Sequence, residues 1–216
     1  EINNFFSPNF NKIRRSNNSI KIIVIHYTGM QSERESIKRL CDPKSKVSCH
    51  LLIGTGGKIF RLVKNNNIAW HAGISAWGKY KNLNKNSIGI ELVNKGHSFG
   101  YKNFKKKQIT SLIKVCSSLI KKYNIRKSNV VGHSDVAPFR KKDPGEKFPW
   151  STLASKKIGI WHNCNSMLLK KLRKERKLKK KDEVDFYKKL KKIGYWLPSK
   201  NKKGSVKIIK AFQRHF

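Results

Sequence analysis

The sequence predicts an α/β fold followed by a small all-α C-terminal module. Three observations predict it. Residues 20–27 (IKIIVIHY) are a β-branched run of the kind that makes a buried strand. Residues 104–123 place Ile109, Leu112, Ile113, Cys116, Leu119 and Ile120 at three–four spacing, the stripe of an amphipathic helix. After about Asn165 the composition turns to Lys, Arg and Leu, and helical periodicity resumes at Phe186, Leu190 and Ile193.

Taken in order, residues 1–19 are polar, rich in Asn and Ser, and read as an irregular N-terminal arm. The 20–27 strand follows. Ser32 is the expected cap of a helix over 32–40, with Glu35 three residues on and Ile37 and Leu40 on its apolar side. Residues 47–53 (VSCHLLI) read as a strand, 54–57 (GTGG) as a turn and 58–63 (KIFRLV) as the return strand. Residues 87–93 (SIGIELV) make a further strand and 104–123 the long helix. Residues 129–132 are a short strand running into His133, and 150–160 a helix. Residues 20–165 therefore read as one domain, 166–183 as a basic helical linker and 184–216 as a second helical module. A module of about thirty residues is too small for an adequate core of its own. It either leans on the first domain or on a second copy of the chain in a homodimer, or is truncated.

The 216 residues carry 50 Lys+Arg against 12 Asp+Glu, a net charge of +38. Such a charge points to anionic partners: nucleic acid, anionic lipid or a carboxylate-bearing polymer. It does not choose among them, and an AT-rich genome would produce the same Lys and Asn bias without any function. The 11 Phe, 6 Tyr and 5 Trp exclude wholesale disorder. No apolar run is long enough for a membrane helix. No nucleic-acid motif is recognisable, and 168–183 holds no aromatic residue for base stacking, so nucleic acid is not the expected partner. No basic-then-apolar leader opens the chain, which fits either a cytoplasmic protein or a processed one. Cys41, Cys49, Cys116 and Cys164 form no C-x-x-C pair. Free thiols are expected, with a Cys41–Cys49 bridge as the alternative in an oxidising compartment.

With acids this scarce, those near His stand out. His26 ends an apolar strand, His133 follows another, and Asp143 lies ten residues on. Two imidazoles and a carboxylate are the three-ligand set of a catalytic zinc that leaves its fourth position open. A His at a strand end also serves commonly as a structural hydrogen-bonding residue, so chemistry alone leaves both readings standing. Glu91 lies in a strand whose alternation sets Ile88, Ile90 and Leu92 on one face and Gly89 and Glu91 on the other. A carboxylate there is either solvent-facing or functional, and Gly89 clears space on its own face. Lys141 stands out only by its offset of two from Asp143. Trp70-His71-Ala72-Gly73 with Trp77 is an aromatic loop that either packs in the core or walls a groove for sugar or peptide.

Taken in series, these segments resemble a known family. They are Ile25-His26-Tyr27-Thr28, Val47-Ser48-Cys49-His50, Gly56 to Phe60, Ala69 to Gly73, Asn84 with Ser87 to Glu91, and Gly132 to Gly145. Their order and gaps, from about residue 20 to about 160, resemble the zinc-dependent N-acetylmuramoyl-L-alanine amidases. That is the type-2 amidase superfamily, which also contains peptidoglycan-recognition proteins. Residues 184–216 are similar, less specifically, to a helical peptidoglycan-binding domain.

The resemblance implies a central mixed sheet flanked by helices and a Zn2+ cofactor held by His26, His133 and Asp143. It implies Glu91 as the group that activates water and Lys141 as the partner of a developing oxyanion. The substrate would be peptidoglycan or muropeptides, including the 1,6-anhydro form, cut between N-acetylmuramic acid and L-alanine. His50, Trp70, His71, Asn84 and Arg140 become candidates for gripping substrate, with His50 alternatively a strand residue supporting the site. An Asp as third ligand matches the catalytic branch of the superfamily, whereas a binding-only recognition protein is the competing reading. Cys49 stands where some relatives have Tyr, so no phenol is expected there. The wall-binding-like tail points to the periplasm or cell envelope, with the cytoplasm as the alternative.

Overall fold

The computed structural model describes residues 2–174, 180–197 and 202–216. Its strands are β1 (Ile2–Asn4), β2 (Phe10–Asn11), β3 (Ile22–Tyr27), β4 (Leu51–Ile53), β5 (Ile59–Arg61), β6 (Ile68–Ala69), β7 (Ala76–Trp77), β8 (Tyr80–Lys81), β9 (Ser87–Leu92) and β10 (Val130–Gly132). Its α-helices are α1 (Glu33–Cys41), α2 (Lys106–Tyr123), α3 (His133–Val136), α4 (Trp150–Ser155), α5 (Ser166–Lys174), α6 (Lys180–Ile193) and α7 (Lys202–His215). Six strands form one mixed sheet in the order β1-β5-β4-β9-β3-β10. Only β4 and β5 pair antiparallel in it; β1 with β5, β4 with β9, β9 with β3 and β3 with β10 are parallel.

Strand alternation assigns the two faces. Ile23, Ile25, Ile88, Ile90 and Leu92 point to one side, where α2 and α4 cover them with Leu112, Cys116, Leu119, Trp150 and Leu153. Ile22 and Val24 point to the other, against Trp77, Leu83 and Val131 and against Leu190, Tyr195, Ile208 and Ala211 of the C-terminal helices. His26 continues the Ile22–Val24 row, so it faces the side built from loops and the C-terminal helices. Helix α1 starts as its sequence predicts, with Ser32 Oγ accepting from the Glu35 N–H at 3.1 Å.

The C-terminal helices lean on the first domain through a buried polar clasp. Asp135 Oδ1 accepts from Tyr195 OH at 2.6 Å, and Oδ2 faces His215 Nδ1 and the Gly132 N–H, each at 2.7 Å. The His215 ring stacks on Trp150 with 3.8 Å between centroids. Gly194 has φ +134°, and a Cβ there would come within 2.5 Å of the Trp77 ring. These contacts give a thirty-residue tail the core it lacks alone.

Three expectations change. Residues 1–19 are more than an arm: β1 adds an edge strand on β5, and Arg15 reaches the carbonyls of Asn65, Asn84 and Lys85. A three-residue edge strand has too little alternation to be read from sequence. The expected 47–53 strand shrinks to Leu51–Ile53, because Ser48 N–H bonds Trp70 O while His50 N–H bonds Gly89 O, splitting the run between two partners. The expected 150–160 helix stops at Ser155, where Lys157 (φ 62°) and Gly159 (φ 74°) turn the chain. The basic linker is helical over α5, and its residues 175–179 lie outside the described ones. All four cysteines are free. Among the described residues no helix is long and apolar enough to cross a membrane.

Tyr195→Phe removes one hydrogen bond to a buried carboxylate, which costs about 1–3 kcal/mol. Urea denaturation should register that loss with an unchanged m-value.

Candidate metal centre and active site

The three expected ligands come together. Parallel pairing of β3 with β10 sets Ile25 beside Gly132, so His26 and His133 leave neighbouring strand ends together. Asp143 is held in place by a hydrogen bond from the Ser134 N–H to its own carbonyl at 2.7 Å. His26 Nδ1 and His133 Nδ1 lie 2.8 Å apart, and Asp143 Oδ2 is 3.1 and 3.0 Å from them. All three residues are buried.

Hydrogen bonds behind the rings decide which nitrogens carry protons. Ser87 Oγ–H donates to Leu83 O at 2.6 Å, so the Ser87 oxygen accepts from His71 Nε2–H at 3.1 Å. His71 Nδ1 is then an acceptor and takes His26 Nε2–H at 3.0 Å. His133 Nε2–H faces the Ala72 carbonyl at 3.2 Å. Both outer nitrogens are therefore protonated, and both Nδ1 lone pairs aim at the Asp143 oxygen. Three acceptors at this spacing have no proton to share among neutral rings; a cation resolves the conflict. Burial, and next the nearby His133, hold the His26 imidazole down at about 4, with Asp143 partly opposing. Burial, then the neighbouring His26 and His50, keep His71 well below its ordinary value. A neutral His26 imidazole with its Nδ1 lone pair turned toward the carboxylate is in the state a metal requires.

Glu91 stands across from His26 in the β3–β9 register. Among the described residues its Oε2 is buried without a hydrogen-bond partner. Burial, then the Asp143 charge, push its carboxyl up to about 8, while Lys141 pulls the other way. Both residues line a cleft of about 420 Å³ together with the ligand trio, Trp70, His71 and Arg140. Gly89, two residues before Glu91, carries no side chain because the His71 ring occupies that space: a Cβ would lie 2.3 Å from it.

Against known proteins, a profile of the N-acetylmuramoyl-L-alanine amidase family matches residues 16–146. This chain belongs to that family. Among curated relatives, the amidase is 39% identical to AmiD of Escherichia coli K12 over 210 residues, covering 91% of this chain and 75% of AmiD. It is 34% identical to the 1,6-anhydro-N-acetylmuramyl-L-alanine amidase AmpD of Haemophilus influenzae over 167 residues, covering 69% of this chain and 88% of AmpD. Among solved structures, E. coli AmiD in complex with anhydro-N-acetylmuramic acid-L-Ala-D-γ-Glu-L-Lys superposes with a TM-score of 0.78 at 33% identity, covering 95% of this chain and 84% of that one. AmpDH3 of Pseudomonas aeruginosa superposes at 0.79 with 30% identity, covering 95% and 87%.

In this amidase two of the expected substrate-gripping residues do not reach the cleft. His50 is fully buried; its Nδ1 accepts from Gly89 N–H at 3.0 Å and its Nε2 faces Asn67 O at 3.2 Å. Asn84 Oδ1 accepts from the N–H groups of His71 and Ala72 at 3.2 and 2.7 Å, fixing the loop that carries His71. Both support the site, and the supporting role considered for His50 is the one its surroundings match. Trp70, His71 and Arg140 do line the cleft, but Arg140 also spends donors on the carbonyls of Ala72 and Ile74. Sequence reasoning missed Ser87, whose signal was its place two residues before Gly89 on the Glu91 face. It also missed His97 at the rim, which bonds Tyr27 OH and Glu146 from a loop without periodicity.

Breaking the relay behind His26 should loosen the metal without touching a ligand. His71→Ala should lower metal affinity about ten- to hundredfold in chelator competition. A second test concerns stability. Burial, then the Arg15 charge, push the His50 imidazole down to about 3 from an ordinary 6.5. The unfolded chain takes up that proton first, so the contribution is complete above pH 6.5 and is lost as pH falls toward 3. His50→Gln should therefore flatten the dependence of unfolding free energy on pH between about 6.5 and 4 by up to one proton.

Proposed function

We propose that this amidase uses zinc held by His26, His133 and Asp143 to hydrolyse the bond between N-acetylmuramic acid and L-alanine in muropeptides. The 1,6-anhydro form is included among its substrates. One observation carries the reading: three metal-ready donor atoms lie beside a buried carboxylate that has no partner of its own. Imidazole nitrogen and carboxylate oxygen suit zinc, and three protein ligands leave a position free for chemistry. Zinc bound there polarises a carbonyl and lowers the pKa of water toward about 7.

The rest falls to the chain's own residues. Glu91 takes the proton of the attacking water and returns it to the departing L-alanine amine. Its unpartnered oxygen is free to do so, and its raised pKa suits it to hold the proton between the two steps. The Lys141 ammonium faces the oxygen on which charge develops. Arg140 and Trp70 line the route by which peptide and sugar enter. A binding-only recognition protein would have no use for an unpaired buried carboxylate beside its metal, so the catalytic reading is preferred. The tail that resembles a wall-binding domain supports action in the periplasm or cell envelope.

Glu91→Gln should retain stoichiometric zinc by metal analysis yet lose about 10²–10⁴ in kcat on a muropeptide. Undiminished turnover in that variant would remove Glu91 from the mechanism. Digestion of intact sacculi and of anhydro-muropeptides, with and without chelator, tests the cofactor and the substrate class together. Both activities should vanish with chelator and return with added zinc.

A further inference from the structure

The loop from Pro138 to Lys142 joins α3 to the ligand Asp143, and two hollows meet along it. One is the catalytic cleft. The other, about 350 Å³, runs between this loop and α7 and is lined by Pro138, Phe139, Arg140, Lys141, Lys142, Lys207, Lys210 and Arg214. Six of these eight residues are cationic and none is acidic. Arg140, Lys141 and Lys142 line both hollows, so the basic groove continues the catalytic cleft.

Helix α7 builds its side of the groove by spacing. Ile208, Ala211 and His215 turn inward and are buried, while Lys207, Lys210 and Arg214 lie one residue earlier in each turn and face the loop. Lys207 Nζ donates to Phe139 O at 3.2 Å, which ties the helix to the loop. Among the described residues none of the six cations is in an ion pair. Six like charges along one hollow create a positive potential that draws in an anion.

We propose that this groove is an anion subsite for the stem peptide, in which α7 binds carboxylates beyond the first glutamate. This rests on the amidase reading above. The peptide bound by the AmiD relative, L-Ala-D-γ-Glu-L-Lys, has the required chemistry. Its γ-linkage leaves one carboxylate free, and its last residue brings another at the chain end, apart from the ammonium at the tip of its own side chain. A peptide leaving the scissile amide along the shared wall meets Arg140 and Lys141 first and the α7 cations next, so the distal carboxylate belongs to α7. The C-terminal module is then part of the substrate site.

The test compares kcat/KM for an anhydromuramoyl tripeptide with a free terminal carboxylate and for the same compound with a terminal carboxamide. The zinc-loaded enzyme should prefer the acid by about tenfold at low ionic strength and less in salt. Lys207→Glu/Lys210→Glu should erase or invert that preference. Lys170→Glu/Lys171→Glu, the same charge change on the exposed face of α5, should keep it. The acid-to-amide ratio is independent of how much enzyme is folded, so a partly misfolded variant still reports. Equal rates on acid and amide by the parent enzyme, or an unchanged ratio in the α7 variant, would overturn the subsite. If the parent enzyme cleaves neither compound, the amidase reading fails instead. Calorimetric titration with L-Ala-γ-D-Glu-L-Lys as acid and as amide then decides the groove alone, and equal affinities would overturn it.

Discussion

The parallel pairing of β3 with its two neighbours is the constraint on which the rest of this structure depends. It sets His26 beside Glu91 on one flank and sends His133 out from the other. Parallel strands end on the same side, so two ligands and a candidate base arrive together although more than a hundred residues separate His26 from His133. The period of two then spells a column on β9: Ser87, Gly89 and Glu91 share the face of His26. Ser87 accepts from His71, Gly89 makes room for its ring and Glu91 faces the cleft. A one-residue slip of register would send all three into the α2 side of the core.

Two buried carboxylates and a third with one buried oxygen show how differently this protein treats a costly group. Asp135 is satisfied by Gly132, Tyr195 and His215, and its position two residues after His133 makes the C-terminal helices part of the foundation of the metal site. Asp143 faces two imidazoles whose outer hydrogen bonds leave only lone pairs pointing at it, an arrangement that invites a cation. Glu91 has an oxygen with no partner among the described residues. An unpaired buried acceptor costs about 1–3 kcal/mol, and such a cost is commonly retained where the group has chemistry to perform. A +38 chain has cations enough to neutralise every acid, yet Glu91 is left free.

Much of the site was legible before the fold was known. His26 and His133 stand at the ends of apolar strands, Asp143 lies ten residues after His133, and Glu91 interrupts an apolar strand with a glycine two before it, but it was the resemblance to the amidase family that turned these candidates into a site. The histidines that do not fit this pattern were harder. His50 and His71 are both buried and flank Gly89, yet one is sealed by backbone groups and the Arg15 guanidinium while the other holds a ligand ring in place. Their flanking sequences contain nothing to separate them, because the distinction lies in which atoms meet each ring nitrogen. The +38 charge was similarly ambiguous. Only the packing of α7 against the Pro138–Lys142 loop turns part of a diffuse excess into a groove joined to the cleft.

Local pattern by itself determined the α/β class, the main helices and the strand ends at which His26 and His133 stand, while the family resemblance was needed to single them out with Asp143 as a metal site. The class, helices and strand ends depend on interactions within a few residues: alternation, three–four spacing, a capping serine. The tertiary structure alone decided the tautomers of the ligand histidines, the supporting roles of His50, Asn84 and Ser87, the edge strand at the N-terminus and the seat of the C-terminal helices. Each of these depends on a partner distant in sequence, and a hydrogen bond is chosen by atoms within about 3 Å in space, a distance that sequence separation does not encode.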